Sequence, residues 1–470
     1  MSTSSVNSLS SLTDTIATTN SSTNSSTGMG QGIDVQQFVK FAVAAQQNTI
    51  TDLQTQQSTL ASQISELSTI EQQVAALDDA AFALRDPMGA MSKQTASSSN
   101  SSMVQATASS TATAGAHSIT VTNLATTSSY YTDEVASSST ALATGDTIGI
   151  TVGGNSVANI TIDSTNNTLA TLAQAINNAT TTVHAGVVTD ANGARLSIVS
   201  ATSGQPGDIA ITGSLHLTDS GSTAVNFNQA VAGKNAQLTV DGMPVTSTSN
   251  TVNGAIAGVT LSLYAPTGST PVSLNISPDT TSATTAINTF VNAYNTVVKE
   301  INAQFNVTST SSGGPLETDN SVRQVQSMLL NAVSYSITGN NGMVNLASMG
   351  VNMNDDGTLT VDDSALSAAL ASNYADVQNF LQGAGSGFAQ QMGTALQTVN
   401  APSNGILAID SHSISNNSQD IAQHISDLQA QLAVQEQTLT AVYSQVNTTL
   451  QQLPLLLNQI SQQLSGLKSS

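Results

Sequence analysis

The chain has 470 residues, with 29 acidic side chains against 8 basic ones, a formal charge of −21, and only 8% charged and 3% aromatic residues. Such a negative excess repels nucleic acid and anionic lipid, which are excluded as partners, while the absence of cysteine excludes disulfides and thiolate metal sites. No run of about 18 apolar residues is present, so no membrane insertion is expected, and the length suits two to four domains of roughly 100 to 200 residues each.

Residues 1–32 are rich in Ser, Thr and Asn and lack the basic start and apolar core of a cleavable signal peptide, so they read as a disordered tail. Residues 33–87 change to a helical pattern. Ile50, Leu53, Leu60, Ile64, Leu67, Ile70, Val74, Leu77, Ala81 and Leu84 fall mostly at three-four steps, with Gln57 in one place of the stripe. Asp86-Pro87 is predicted to end this helix.

Between the helical ends the period shifts to two. SITVTNL, TIGITV with NSVANITID, GVVTD with RLSIVS, DIAITG, AQLTV, GVTLSLY and PVSLNIS alternate as short strands with Gly, Asn and Asp at the turns. One helix interrupts them, TLATLAQAINNA, where Leu169, Leu172, Ala173 and Ile176 share a face. These strands are divided into an inner β domain in two parts, 88–130 and 232–280, around an outer β domain at 131–231.

Helices return over 281–410. One is marked by Ile287, Phe290, Val291, Tyr294, Val297, Val298, Ile301 and Phe305, and another by Val322, Val325, Leu329 and Val333, with the Ser- and Gly-rich loop Thr308 to Gly314 between them. Residues 411–470 then form a coiled-coil helix: Ile414, Ile421, Ile425, Leu428, Leu432, Leu439, Val442, Val446, Leu453, Leu456, Ile460 and Leu467 keep the three-four rhythm, with Gln435 and Thr449 as polar places. From Ser411 to Leu467 it would be roughly 85 Å long at ~1.5 Å per residue, and Pro454 is expected to kink or interrupt it.

The expected fold class is therefore α+β. A long-helix leg, a helical bundle or coiled coil from both chain ends, carries an inserted, mainly-β head of two small domains. The candidate packing and oligomer-interface residues are Leu53, Leu60, Ile64, Leu67, Val74 and Leu77 on the first helix. On the last they are Ile421, Ile425, Leu428, Leu432, Leu439, Val442, Val446, Leu453 and Ile460. The two stripes pack on each other inside one subunit, and their outer parts are expected to dock onto other subunits, because such narrow stripes leave a lone chain little stability.

Chemistry finds few anchors. NMNDDGTLTVDD, Asn352 to Asp363, has an EF-hand skeleton with oxygen side chains at places one, three and five and Gly at six. Its first ligand is Asn, its twelfth is the short Asp363, and no usual entering helix precedes it. The favoured reading is a hairpin turned by Asp356-Gly357, followed by one helix, ALSAALASNYADVQNFLQ, N-capped by Asp363 or Ser364 and stopped at Gly383. The five histidines, His117, His184, His216, His412 and His424, form no HExxH, and GxSxG, GxxxxGK and GxGxxG are all missing. No catalytic, cofactor-binding or metal residue is assigned, and no cofactor is expected.

Several blocks resemble the flagellar filament cap family, hook-associated protein 2. GIDVQQFVKFAVAAQQNTITDLQTQQSTLASQISEL is similar to its N-terminal leg, and INNATTTVHAGVVTDANGARLSIVSATSG to a head hairpin. AQLTVDGMPVTSTSNTVNGAIAGVTLSL resembles its most specific block, and GGPLETDNSVRQVQSML with LASMGVNMNDDGTLTVDDSALSAALASN its C-terminal region. The resemblance implies export unfolded through the flagellar type III pathway, with 1–32 as an export tail, and an extracellular place at the filament tip. It also implies self-association in a small ring, often a pentamer, with flagellin, hook-filament junction proteins and an export chaperone as partners. Flagellin would fold beneath the cap and be inserted there without covalent chemistry. Alternatives are an adhesin whose β head binds mucin or glycan, another flagellar axial protein, or a phage or secretion-system fibre.

Overall fold

The computed structural model describes residues 34–306 and 313–467. The tail at 1–32 and most of the Thr308 to Gly314 loop lie outside the described residues. The chain divides into two compact units: Met1–Gln72, Glu300–Val325 and Thr398–Ser470 make one, and Gln73–Lys299 with Gln326–Gln397 make the other.

Helix α1 spans Val35–Arg85 without a glycine or proline. The Asp34 carboxylate caps its start, accepting from the Gln37 amide at 3.1 Å, and Asp86-Pro87 closes it as expected. Beyond it the α+β expectation holds, because a β region is inserted between helices drawn from both chain ends.

In the second unit an antiparallel five-stranded sheet runs in the order Gln94–Ser98, Val272–Pro278, Gly115–Asn123, Ala236–Val240, Met243–Ser247. A three-stranded sheet of Thr251–Ile256, Val259–Leu263 and Val104–Ala108 shares its core, which includes Ile119, Leu238, Leu261 and Leu274. Asp241-Gly242 turns a two-residue hairpin there, with φ of +52° and +81°, a conformation that Asp tolerates and Gly prefers.

A second β core lies between Val135 and Val225. It combines a four-stranded sheet, Phe227–Val231, Thr127–Thr132, Ala194–Ser203 and Val183–Thr189, with a three-stranded one, Asn155–Thr161, Thr147–Val152 and Ile209–Gly213. Helix α2, Leu169–Ala179, buries Leu169, Leu172, Ala173 and Ile176 as the spacing predicts. Thr168 and Thr171 form its capping box, and the Asn177 amide exchanges two 2.8 Å hydrogen bonds with the Ala185 backbone.

Helices α3, Thr280–Phe305, and α4, Asn320–Val333, follow. Phe290 of α3 meets the Phe388 ring edge-on at 5.4 Å, and Phe380 stacks on Phe388 at 5.7 Å. The structure corrects three details of the remaining helices. ALSAALASNYADVQNFLQ is two helices, α5 at Asp363–Ser372 and α6 at Tyr374–Gln382, because Asn373 leaves helical geometry at φ −132° and ψ 35°, a place where Asn side chains compete with the helix. The N-cap is Asp362, which accepts from the Ser364 and Ala365 amides at 3.0 Å. After α7, Phe388–Asn400, the last helix α8 runs from Ile406 to Leu467, five residues earlier than expected, and passes through Pro454; a proline there forfeits one backbone bond without stopping the helix.

Candidate functional site

The first unit joins the two ends of the chain. Val43, Ile50 and Leu60 of α1 and Ile421, Ile425 and Leu432 of α8 form one buried cluster, with Leu53, Ile414, Leu428 and Leu439 packed partly against it. The helices run antiparallel, since the Phe38 ring lies 6.0 Å from Tyr443 at one end and the charge of His412 acts on Glu71 at the other. Three-four spacing turns one stripe of each helix toward the other, and these stripes form the cluster.

The candidate residues separate into three groups. Leu53, Leu60, Ile421, Ile425, Leu428, Leu432 and Leu439 are brought together in the cluster. Ile64 is half-buried; Leu67 is fully buried in the first unit, as are Val74 and Leu77 in the second, so these three serve packing within the chain. Val442, Val446, Leu453 and Ile460 are 49%, 41%, 47% and 46% exposed. The same rhythm therefore yields a covered and an uncovered stretch on one helix.

Polar groups frame the pairing in a way the sequence did not reveal. The Gln304 amide donates to Glu66 at 2.9 Å and Gln63 donates to the Pro315 carbonyl at 3.0 Å, which ties the 313–316 segment to α1. Burial, then a hydrogen bond that the protonated Glu66 donates to Glu300 and the charge of Glu300, raises the Glu66 carboxyl above its ordinary range. Burial also raises Glu71, against an opposing pull from His412. Asp319 caps α4 by accepting from the Ser321 amide at 2.7 Å, and burial together with the Asp319 carboxyl pushes Asp410 up to about 6. Carboxyl groups that face one another hold protons more tightly than isolated ones. Such partners, 234 and 91 positions apart in the chain, leave no local sequence signal.

The Asn352 to Asp363 stretch belongs to the second unit and is a hairpin. Val351–Met353 pairs with Leu359–Val361, and Gly357 turns at φ +81°. Asp356 accepts from the Thr358 amide at 3.0 Å and hydroxyl at 2.6 Å, contacts that hold its carboxyl below the ordinary range. The turn thus uses the oxygens an ion would need. Among the described residues no three of His, Cys, Asp or Glu converge to hold a metal, and no described helix is long and apolar enough to cross a membrane. His117 pairs with Asp241 at 2.7 Å and His216 with Asp146 at 3.1 Å, each on a β domain.

Comparison with known proteins adds a family to this geometry. A family model described as flagellar hook-associated protein 2 N-terminus matches residues 31–128, and one described as flagellar hook-associated protein 2 C-terminus matches residues 233–454. B-type flagellar hook-associated protein 2 of Pseudomonas aeruginosa is 30% identical over 400 residues, covering 79% of this chain and 82% of the relative. Flagellar hook-associated protein 2 of Escherichia coli strain K12 is 27% identical over 379 residues, 76% of this chain and 80% of the relative. The solved D1-D2-D3 domains of the flagellar cap protein FliD from Escherichia coli align with a TM-score of 0.57 at 27% identity, covering 74% of this chain and 99% of that one.

Proposed function

The chain belongs to the flagellar hook-associated protein 2 family, and from that premise we propose that it caps a bacterial flagellar filament. In this reading it leaves the cell through the flagellar type III pathway and sits outside it at the growing tip. There it closes into a ring, a pentamer, and promotes the folding and insertion of flagellin beneath it without covalent chemistry. An export chaperone and the hook-filament junction proteins complete its partners.

One observation carries the reading beyond the family. The two chain ends form a pairing whose apolar stripe continues, exposed, past the point where the partner helix begins, with Val446, Leu453 and Ile460 uncovered. An apolar stripe left in water marks a surface made for other subunits. The Val442, Val446, Leu453 and Ile460 face is therefore assigned to contacts outside the subunit, and Leu53 to Leu439 to contacts inside it.

Deleting the gene and imaging the cells tests the reading. Loss of filaments together with unpolymerised flagellin in the medium is the expected result; normal filaments would overturn it. Restoring the gene with Leu453→Asp and Ile460→Asp should leave a folded, exported protein that fails to restore filaments.

A further inference from the structure

The uncovered part of α8 carries a second frame beside the stripe that packs on α1. Along the frame that packs on α1, the places after Val446 are Thr449, Leu453, Leu456, Ile460 and Gln463, interrupted twice by polar side chains. A neighbouring frame is uninterrupted: Val446, Leu450, Leu453, Leu457, Ile460 and Leu464 follow at steps of four, three, four, three and four. All six are between 37% and 57% exposed. In heptad terms the leucines at 450, 457 and 464 take the a places and Val446, Leu453 and Ile460 the d places.

The chain's own N-terminal stretch is a poor occupant. From residue 17 to residue 31 it is Ala, Ser, Thr, Asn, Gly and Gln with Met29 as the one large apolar side chain, too few knobs for the holes of a heptad stripe. Charge points to another occupant. From residue 437 to residue 467 there is no Asp, Glu, Lys or Arg, although the whole chain carries −21. Copies of so acidic a chain repel one another over most of their surface, and this neutral helix is a place where they can meet without that cost.

We propose that Val446–Leu464 is a self-association zipper in which the α8 helices of several copies pack together, parallel and in register, through these six side chains. The parallel direction rests on the ring reading, because rotational symmetry points every α8 the same way. Leu at every a place with a β-branched residue at two of three d places favours bundles of more than two helices. Fewer than three heptads make a weak zipper alone, so it acts by effective concentration once other contacts have gathered the copies. Pro454 takes an e place, outside the a and d layers, where its missing amide does not disturb the knobs.

A chain without cysteine makes the test clean. Single variants Leu450→Cys and Leu457→Cys of the full chain, mildly oxidised, should cross-link at least ~10-fold faster than Leu455→Cys, which lies at an f place. Leu450→Glu with Leu457→Glu should weaken self-association by at least ~100-fold in sedimentation velocity, while circular dichroism of the dilute chain stays unchanged. Cross-linking no faster than Leu455→Cys in a chain that still assembles would overturn the zipper and leave the ring reading intact. A wild-type chain that stays monomeric at every concentration would overturn both. An intramolecular disulfide in Ser21→Cys/Ile460→Cys would overturn the zipper by assigning the stripe to the chain's own tail.

Discussion

Ile421 to Leu439 and Val446 to Leu464 are consecutive parts of one helix with the same apolar rhythm, yet Ile421, Ile425 and Leu432 are at most 8% exposed while Leu453, Leu457 and Leu464 are 47%, 45% and 57% exposed. Periodicity decides that a helix has an apolar face; a partner decides whether that face is buried. The first part lies along α1, and the second extends past the residue, Tyr443, that meets the start of α1 at Phe38. The difference lies in what each face meets.

The largest expected effect breaks this contrast directly. Ile425→Asp places a carboxylate in the buried cluster and should destabilise the helix pairing by about 3–5 kcal/mol. Leu457→Asp, on the uncovered stretch of the same helix, should cost less than about 0.5 kcal/mol in a dilute chain, because the side chain is already 45% exposed. Thermal melting followed by circular dichroism at low protein concentration reads both. Equal losses would mean that the outer stretch is covered within the monomer.

A second test uses the carboxyls that flank the covered part. Asp410 sits at about 6 against an ordinary 3.8, through burial and the facing Asp319, with Ser321 the opposing influence. A raised carboxyl keeps a proton in the folded chain that the unfolded chain has lost, so stability falls as pH rises from about 4 to about 6 and stays reduced above. Since Asp410 is only partly buried, the cost at neutral pH is about 1–2 kcal/mol after solvent screening. Asp410→Asn should raise the melting temperature at pH 7.5, leave it unchanged at pH 4 and flatten the slope between. The outer stretch has no Asp, Glu, His, Lys or Arg between Glu436 and Lys468, so any self-association there should be insensitive to pH across the same window.

Much of this was legible in the sequence, for reasons that particular residues make plain. The α1 and α8 stripes, the strands named for their alternation and the face of α2 follow from spacing alone, because burial on one side imposes a period on the side chains; Gln94–Ser98, Val104–Ala108, Thr127–Thr132 and Phe227–Val231 went unread. The Asp356-Gly357 turn was legible because only a few residues tolerate its backbone. The break at Asn373 and the survival of α8 through Pro454 were not, since both are settled by competition between local preference and the packing around it. The carboxyl pairs were invisible because the chain brings Glu66 to Glu300 and Asp319 to Asp410 only after folding. Leu450, Leu457 and Leu464 were present throughout; their meaning emerged once the end of α1 showed which frame loses its partner.

The smallest expected effect sharpens the boundary between the two parts. Gln435 is half-buried between Leu432 and Leu439 on the covered stripe, where its amide interrupts an otherwise apolar run and keeps only part of its contact with water. Gln435→Leu should stabilise the pairing by about 0.5–1 kcal/mol, the worth of partial burial of one aliphatic side chain. Thr449→Leu makes the same kind of replacement on the same frame just beyond Tyr443, where the side chain is exposed, and should leave the melting temperature of the dilute chain unmoved. If the covered stripe ends at Tyr443, the first variant gains and the second does not; a gain at both positions would carry the intramolecular pairing outward past that residue and shorten the stretch left for other copies.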